Sequence, residues 1–149
     1  MRISLGCDEA AYELKMIIKQ YLEEQGHTVI DNGADAGEIV LYPDVAAKTC
    51  KKVTDGECDR AILVCGTGIG MAMTANKIPG IRAAVGHDPF SVERSVLSNN
   101  ANVLCMGARI VAPQLALYLL DIWMKLTFKD GSSTPKVERI MYYEQQFAK

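Results

Sequence analysis

The ten residues Ala61-Ile62-Leu63-Val64-Cys65-Gly66-Thr67-Gly68-Ile69-Gly70 constrain the fold more than any other stretch of the chain. Ala61 to Val64 form an apolar run with two β-branched members, which reads as a short buried strand. Glycines at 66, 68 and 70 let the backbone turn sharply and approach a ligand closely. From Ile69, residues Met71, Ala72, Met73 and Ala75 run on as a helix until Pro79-Gly80 ends it. Strand, turn and helix start bring free N–H groups and the positive end of a helix dipole to one point, with Cys65 at its edge. The pattern is Gly-x-Gly-x-Gly. It is not the dinucleotide fingerprint, because Met71 takes the last glycine place, and it is not a P-loop, because no Gly-Lys-Ser/Thr follows. On the pattern alone a plain tight turn remains open. A single cysteine such as Cys65 is more often a small core residue than a nucleophile or base.

The rest of the chain repeats the alternation. Arg2–Cys7 reads as a first strand. Tyr12, Leu14, Ile17, Ile18, Tyr21 and Leu22 follow at helical spacing, with Gly26 as a stop. His27–Asp31 reads as a second strand, 32–42 as a loop, and a helix runs from Pro43 to Asp55-Gly56. After the Cys65 strand come a fourth strand over Gly80–Gly86 and a helix opened by Asp88-Pro89. A fifth strand covers Asn102–Gly107, and an apolar helix runs from Pro113 to about Phe128. Thr134-Pro135 opens a last helix carrying Val137, Ile140, Met141 and Tyr143. Four of the five prolines stand at predicted helix starts. This order predicts one α/β domain over 1–149: a doubly wound, five-stranded parallel sheet in a three-layer sandwich, with an extra C-terminal helix. Ligands in such sheets bind beyond the carboxyl ends of the strands. That rule gathers Asp8, Glu9 and the 65–70 turn onto one rim.

Composition narrows the partners. With a net charge of -2 and no basic run, nucleic-acid binding is not expected. No apolar stretch approaches the roughly 20 residues of a membrane span. The five cysteines at 7, 50, 58, 65 and 105 contain no Cys-x-x-Cys pair, so neither a disulfide framework nor a zinc site is expected. No metal or cofactor is expected either. A chain that enters a strand at once, with free thiols, fits a reducing cytoplasm.

Several motifs together resemble one family. They are Gly6-Cys7-Asp8, Tyr42-Pro43-Asp44, Cys65 to Gly70, Ala75-Asn76-Lys77, Gly80-Ile81-Arg82-Ala83, Asn99-Asn100-Ala101-Asn102-Val103 and Gly107-Ala108-Arg109. In matching order over nearly the whole chain, they are similar to ribose-5-phosphate isomerase B and galactose-6-phosphate isomerase. The resemblance implies a Rossmann-like fold and a dimer or tetramer with sites shared between subunits. It also implies a small-molecule sugar or sugar-phosphate substrate and aldose–ketose interconversion through a cis-enediolate. Cys65 would be the base, and a positive helix end favours its thiolate. The N–H groups of Gly66, Gly68, Ile69 and Gly70 would hold the oxyanion. Thr67 would relay a proton, Asp8 would bind sugar hydroxyls, and Tyr42 would lie in the pocket. Asn99 and Arg109 would face the neighbouring subunit's Cys65 loop.

The departures from that family are specific. Glu9 stands where the resemblance implies a phosphate-binding histidine, and Ser98 where it implies the histidine that opens the sugar ring. Asp130-Gly131-Ser132-Ser133 replaces a loop that usually carries arginine and histidine. Lys136 replaces an arginine, keeping the charge without the bidentate fork. His27 and His87 are elsewhere, and His87 falls at the rim. Three readings stay open: an isomerase with altered substrate, a non-catalytic sugar-binding or regulatory protein, and a plain ribose-5-phosphate isomerase. Loss of the ring opener favours a substrate that arrives open, such as a tetrose 4-phosphate, or an unphosphorylated or acidic sugar.

Overall fold

The computed structural model describes residues 1–148. Strands β1 (Arg2–Cys7), β2 (Thr28–Asp31), β3 (Arg60–Cys65), β4 (Ala83–Val85) and β5 (Val103–Gly107) form one sheet in the order β2-β1-β3-β5-β4. Every pairing is parallel, with Gly6 opposite Leu63 and Cys65 opposite Gly107. Helices α1 (Tyr12–Glu24), α2 (Tyr42–Thr54), α3 (Ile69–Ala75), α4 (Pro89–Leu97) and α5 (Pro113–Lys125) connect and cover the strands, and α6 (Thr134–Phe147) follows. This is the Rossmann-like doubly wound sandwich that the alternation predicts. Winding reverses between β1 and β3, so the crevice expected of such sheets opens where Asp8 and Cys65 leave their strands.

The period of two along each strand sorts side chains into two cores. Ile3, Leu5, Ile62, Val64, Leu104 and Met106 pack with α1, α4 and α5 around the fully buried Trp123. Leu63, Cys65, Val103 and Cys105 point the other way, onto Val45, Ala46, Met71 and Ala75 of α2 and α3. Both faces are covered, which is why these strands read as continuous apolar runs. One charge is buried within this frame. Lys15 is 0% exposed; its Nζ donates to Asp31 Oδ1 at 2.9 Å and to the carbonyl of Ala34 at 2.6 Å. Burial alone would raise the Asp31 carboxyl, but Lys15, the Gly33 N–H and Lys19 hold it below the usual range.

Three predicted boundaries move. β4 spans only Ala83–Val85, not 80–86, because asparagine side chains take over its approach. Asn102 Oδ1 accepts the Arg82 N–H and its Nδ2 donates to the Gly80 carbonyl; Asn76 does the same for both main-chain groups of Ala83. α3 stops at Ala75 and α5 at Lys125. At the end of α5 the carbonyls of Trp123 and Leu126 are held by the Arg60 guanidinium, which also lies over the Trp123 ring. In α6 only Val137 is buried. That helix is tied back by Glu144, whose two carboxylate oxygens accept the Gly80 N–H at 3.0 and 3.1 Å.

Candidate active site

Cys65 is the last residue of β3 and is 5% exposed. The chain turns at once, and the N–H of Gly68 donates to Cys65 Sγ at 3.1 Å. Gly68 has φ +78°, and a Cβ there would stand 2.9 Å from the main-chain carbon of Met106, so only glycine fits. Thr67 Oγ1 accepts the N–H of Ile69, where α3 begins. α3 is only seven residues long. So short a helix offers little dipole, and the turn's direct contact with the sulfur is the Gly68 N–H.

The end of β5 walls the turn. The N–H of Ala108 donates to the Cys65 carbonyl at 2.8 Å, and that of Arg109 to the Gly66 carbonyl at 3.0 Å. A Cβ on Gly107 would stand 2.6 Å from Thr67 Cα. On the other side Tyr42 lays its ring over Gly70, where a Cβ would overlap it. Arg109 places its guanidinium 3.4 Å from where a Cβ on Gly66 would stand. Within the chain Arg109 therefore lies beside its own Cys65 loop, and its side chain is exposed.

Asp8 follows β1 on the same rim. Its N–H donates to the Val64 carbonyl, and its Oδ1 accepts the Ala10 N–H at 3.1 Å. Burial pushes this carboxyl up, against the pull of the Ala10 and Ala11 N–H groups and the Arg109 charge. Glu9 is exposed and turns to its own chain, where its Oε2 accepts the N–H of Val40 at 3.3 Å. It thereby fixes the loop that leads into Tyr42, a role that nothing in the sequence signals.

Both histidines are engaged by main-chain groups. His87 Nε2 accepts the Gly107 N–H at 3.0 Å. His27 Nδ1 lies 2.9 Å from the amino terminus, and burial followed by the terminal charge pushes its imidazole down.

The structure does not bring Ser98, Asn99 or Lys136 to the Cys65 loop of the same chain. In a doubly wound sheet, helices return the chain to the amino edge of the strands, and Ser98 and Asn99 follow α4 there. Asn100 stops that helix with φ +50°. Asn99 lines a cavity of about 710 Å³ together with Arg82, Ile140, Glu144 and Phe147. Lys136 is exposed in the first turn of α6, after α5 has returned to the same edge.

Cys65 with an N–H aimed at its sulfur, the glycine turn after it, the half-buried Asp8 and the Arg109 guanidinium thus stand together on one rim. Relatives supply the class of protein. The sequence model of a family described as Ribose/Galactose Isomerase matches residues 3–140. A D-erythrulose-4-phosphate isomerase of Pectobacterium atrosepticum is 48% identical over 98% of this chain and 97% of its own length. A Ribose-5-P isomerase B of Listeria innocua is 47% identical over 98% and 99%. The solved ribose-5-phosphate isomerase B of Clostridium thermocellum superposes with a TM-score of 0.97 at 41% identity, covering 99% of this chain and all of that one. The chain belongs to the ribose/galactose isomerase family and is a sugar-phosphate isomerase, an intramolecular oxidoreductase.

Proposed function

We propose that this enzyme interconverts D-erythrose 4-phosphate and D-erythrulose 4-phosphate through a cis-enediolate, with Cys65 as the base. One observation carries the choice of a four-carbon substrate: among the described residues, both imidazoles already hold main-chain groups. The two histidines, at 27 and 87, hold main-chain groups, and Glu9 holds the loop at Val40. The position where the resemblance implies a ring opener is Ser98, whose hydroxyl is a poor acid or base near neutral pH. A tetrose 4-phosphate has its ring-forming hydroxyl esterified and stays open. The Pectobacterium relative, named for a tetrulose phosphate, supports the same choice.

In the forward direction the Cys65 thiolate takes the C2 proton of the aldose. The C–H electron pair becomes the C1–C2 double bond, and the turn's N–H groups not engaged by Cys65 or Thr67, those of Gly66 and Gly70, stabilise the charge on O1. The proton returns from sulfur to C1 while the O2 proton passes to O1 by way of Thr67, which leaves the ketone at C2. Asp8 binds hydroxyls and Tyr42 closes the pocket over Gly70. The phosphate is held by Arg109 together with Lys136. Ser98, Asn99 and Lys136 lie at the amino edge of their own chain, so in this reading a second copy delivers them. The working unit is then a homodimer or a tetramer of such pairs.

The deciding measurement is kcat/KM for D-erythrulose 4-phosphate against D-ribose 5-phosphate. The tetrulose phosphate is expected to exceed the pentose phosphate at least tenfold. A higher value for ribose 5-phosphate would return the chain to the function named for its Listeria relative.

A further inference from the structure

We infer that His87 is a positioning residue for catalysis: its imidazole extends the β4–β5 ladder by one bond and thereby sets the wall against which the Cys65 turn is built. The inference rests on the Cys65 loop being the active site, but not on which sugar it takes.

The ladder itself shows the substitution. β4 and β5 pair from Ala83 opposite Val103 to Val85 opposite Cys105. The N–H of Val103 donates to the Arg82 carbonyl, and the N–H of Gly86 to the Cys105 carbonyl. The two-residue step of a parallel ladder would next join the Gly107 N–H to the carbonyl of Gly86. It goes instead to His87 Nε2, at 3.0 Å. An acceptor nitrogen carries no proton, so the single proton of the neutral ring is on Nδ1. Gly107 is fully enclosed, and its N–H would otherwise be a buried orphan.

The other side of the same two residues holds the catalytic turn. Gly107 touches Thr67 so closely that no side chain fits between them, and Met106 abuts Gly68. The next N–H groups along, those of Ala108 and Arg109, bind the carbonyls of Cys65 and Gly66. A shift at Gly107 therefore moves the carbonyl of Cys65 and the Gly68 N–H that points at the sulfur. Displacements of about 1 Å in a reacting geometry cost on the order of 100-fold in rate. His87 reaches neither the sulfur nor the bound sugar in this account; it acts through the main chain of β5.

Glutamine supplies the test, because its Oε1 lies as many bonds from Cα as the imidazole Nε2 and accepts a hydrogen bond. His87→Leu fills similar space with no acceptor. With D-erythrulose 4-phosphate as substrate, or ribose 5-phosphate if that proves the better one, His87→Leu is expected to lower kcat 10- to 100-fold with KM changed less than threefold. His87→Gln is expected to stay within threefold of the parent in both. A leucine variant that keeps kcat within threefold overturns the inference, as does a folded glutamine variant as impaired as leucine. If His87→Leu does not fold, the glutamine variant decides alone: kcat within threefold supports the role, and a tenfold loss refutes it. Activity surviving in Cys65→Ala would instead overturn the assignment of the base, so the two failures are distinct.

Discussion

At the scale of single residues, the proposed site turns on two atoms meeting: the Cys65 sulfur and the Gly68 nitrogen, 3.1 Å apart. Cys65→Ala removes the proposed proton acceptor while leaving a small apolar residue in a small apolar place. Turnover and solvent-proton exchange into substrate should both vanish, with circular dichroism unchanged; activity within a few-fold of the parent would refute the base. Gly68→Ala tests the other atom. A side chain there must adopt φ +78° and displace the backbone of Met106. Loss of about 1–3 kcal/mol of stability is expected on strain alone, together with nearly complete loss of activity. Thermal melting and kcat measure the two effects separately. The turn itself was legible because a main chain that turns so closely needs glycine, and glycine spacing is visible in a sequence. Glu9 was not legible in the same way. A carboxylate at a rim gives no sign in the sequence that it will bind the Val40 N–H, thirty-one residues away.

At the scale of elements, starts were easier to read than ends. Pro43, Pro89, Pro113 and Pro135 each fall in the first turn of a helix, because proline lacks the N–H that a first turn leaves unused. The approach to β4 reads as strand because Ile81 and the run Ala83 to Val85 are apolar, while the groups that pair with Gly80 and Arg82 are side chains from elsewhere. Asn102 and Asn76 act there as a substitute ladder, and an asparagine's choice of partner is a tertiary matter. Asn102→Ala should expose that role. It leaves the Gly80 carbonyl and the Arg82 N–H without partners at once, a loss of about 2 kcal/mol. Glu144 still holds the Gly80 N–H in that variant, so α6 should stay docked. Urea unfolding would check the magnitude, and an unchanged midpoint would show that these bonds contribute nothing.

At the scale of the whole molecule, the sheet keeps Ser98 and Asn99 on the edge opposite Cys65, and α6 leaves Ile140, Tyr143 and Phe147 exposed. A chain whose proposed site draws on both edges should be at least a dimer; light scattering at micromolar protein should give twice the 16.3 kDa chain mass or more. A monomer with full activity would refute the shared site. The sequence carried the order of elements and therefore the edges. It did not carry which chain each edge serves, because helix returns are the same in a monomer and a dimer. The buried thiols set the response to alkali. Burial pushes Cys7 up to about 11 and Cys50 to about 12, from an ordinary 9.0. Above pH 9 the unfolded thiols lose protons that the folded ones keep, so stability is full below pH 9 and falls as pH rises toward 11–12. The melting temperature should therefore decline through this window, and Cys50→Ala, though less stable at neutral pH, should decline less steeply. Equal slopes would contradict the assignment.

The enclosure of Lys15 has a use in the laboratory. An amine with no exposed surface, clamped by Asp31 and the Ala34 carbonyl, is out of reach of aqueous acylating or methylating reagents until α1 and the loop after β2 separate. Lysines on the outer faces of the helices, such as Lys51 and Lys125, are 71% and 72% exposed and should label within the first exposure. Lys15 is thus a clock intrinsic to the native chain. Its rate of isotopic methylation, read by mass spectrometry, should track opening of the β1–α1–β2 unit and fall to nothing under conditions that keep this unit closed. Prompt labelling of Lys15 in the fully active enzyme would show that this part of the molecule opens on its own, without the rest unfolding.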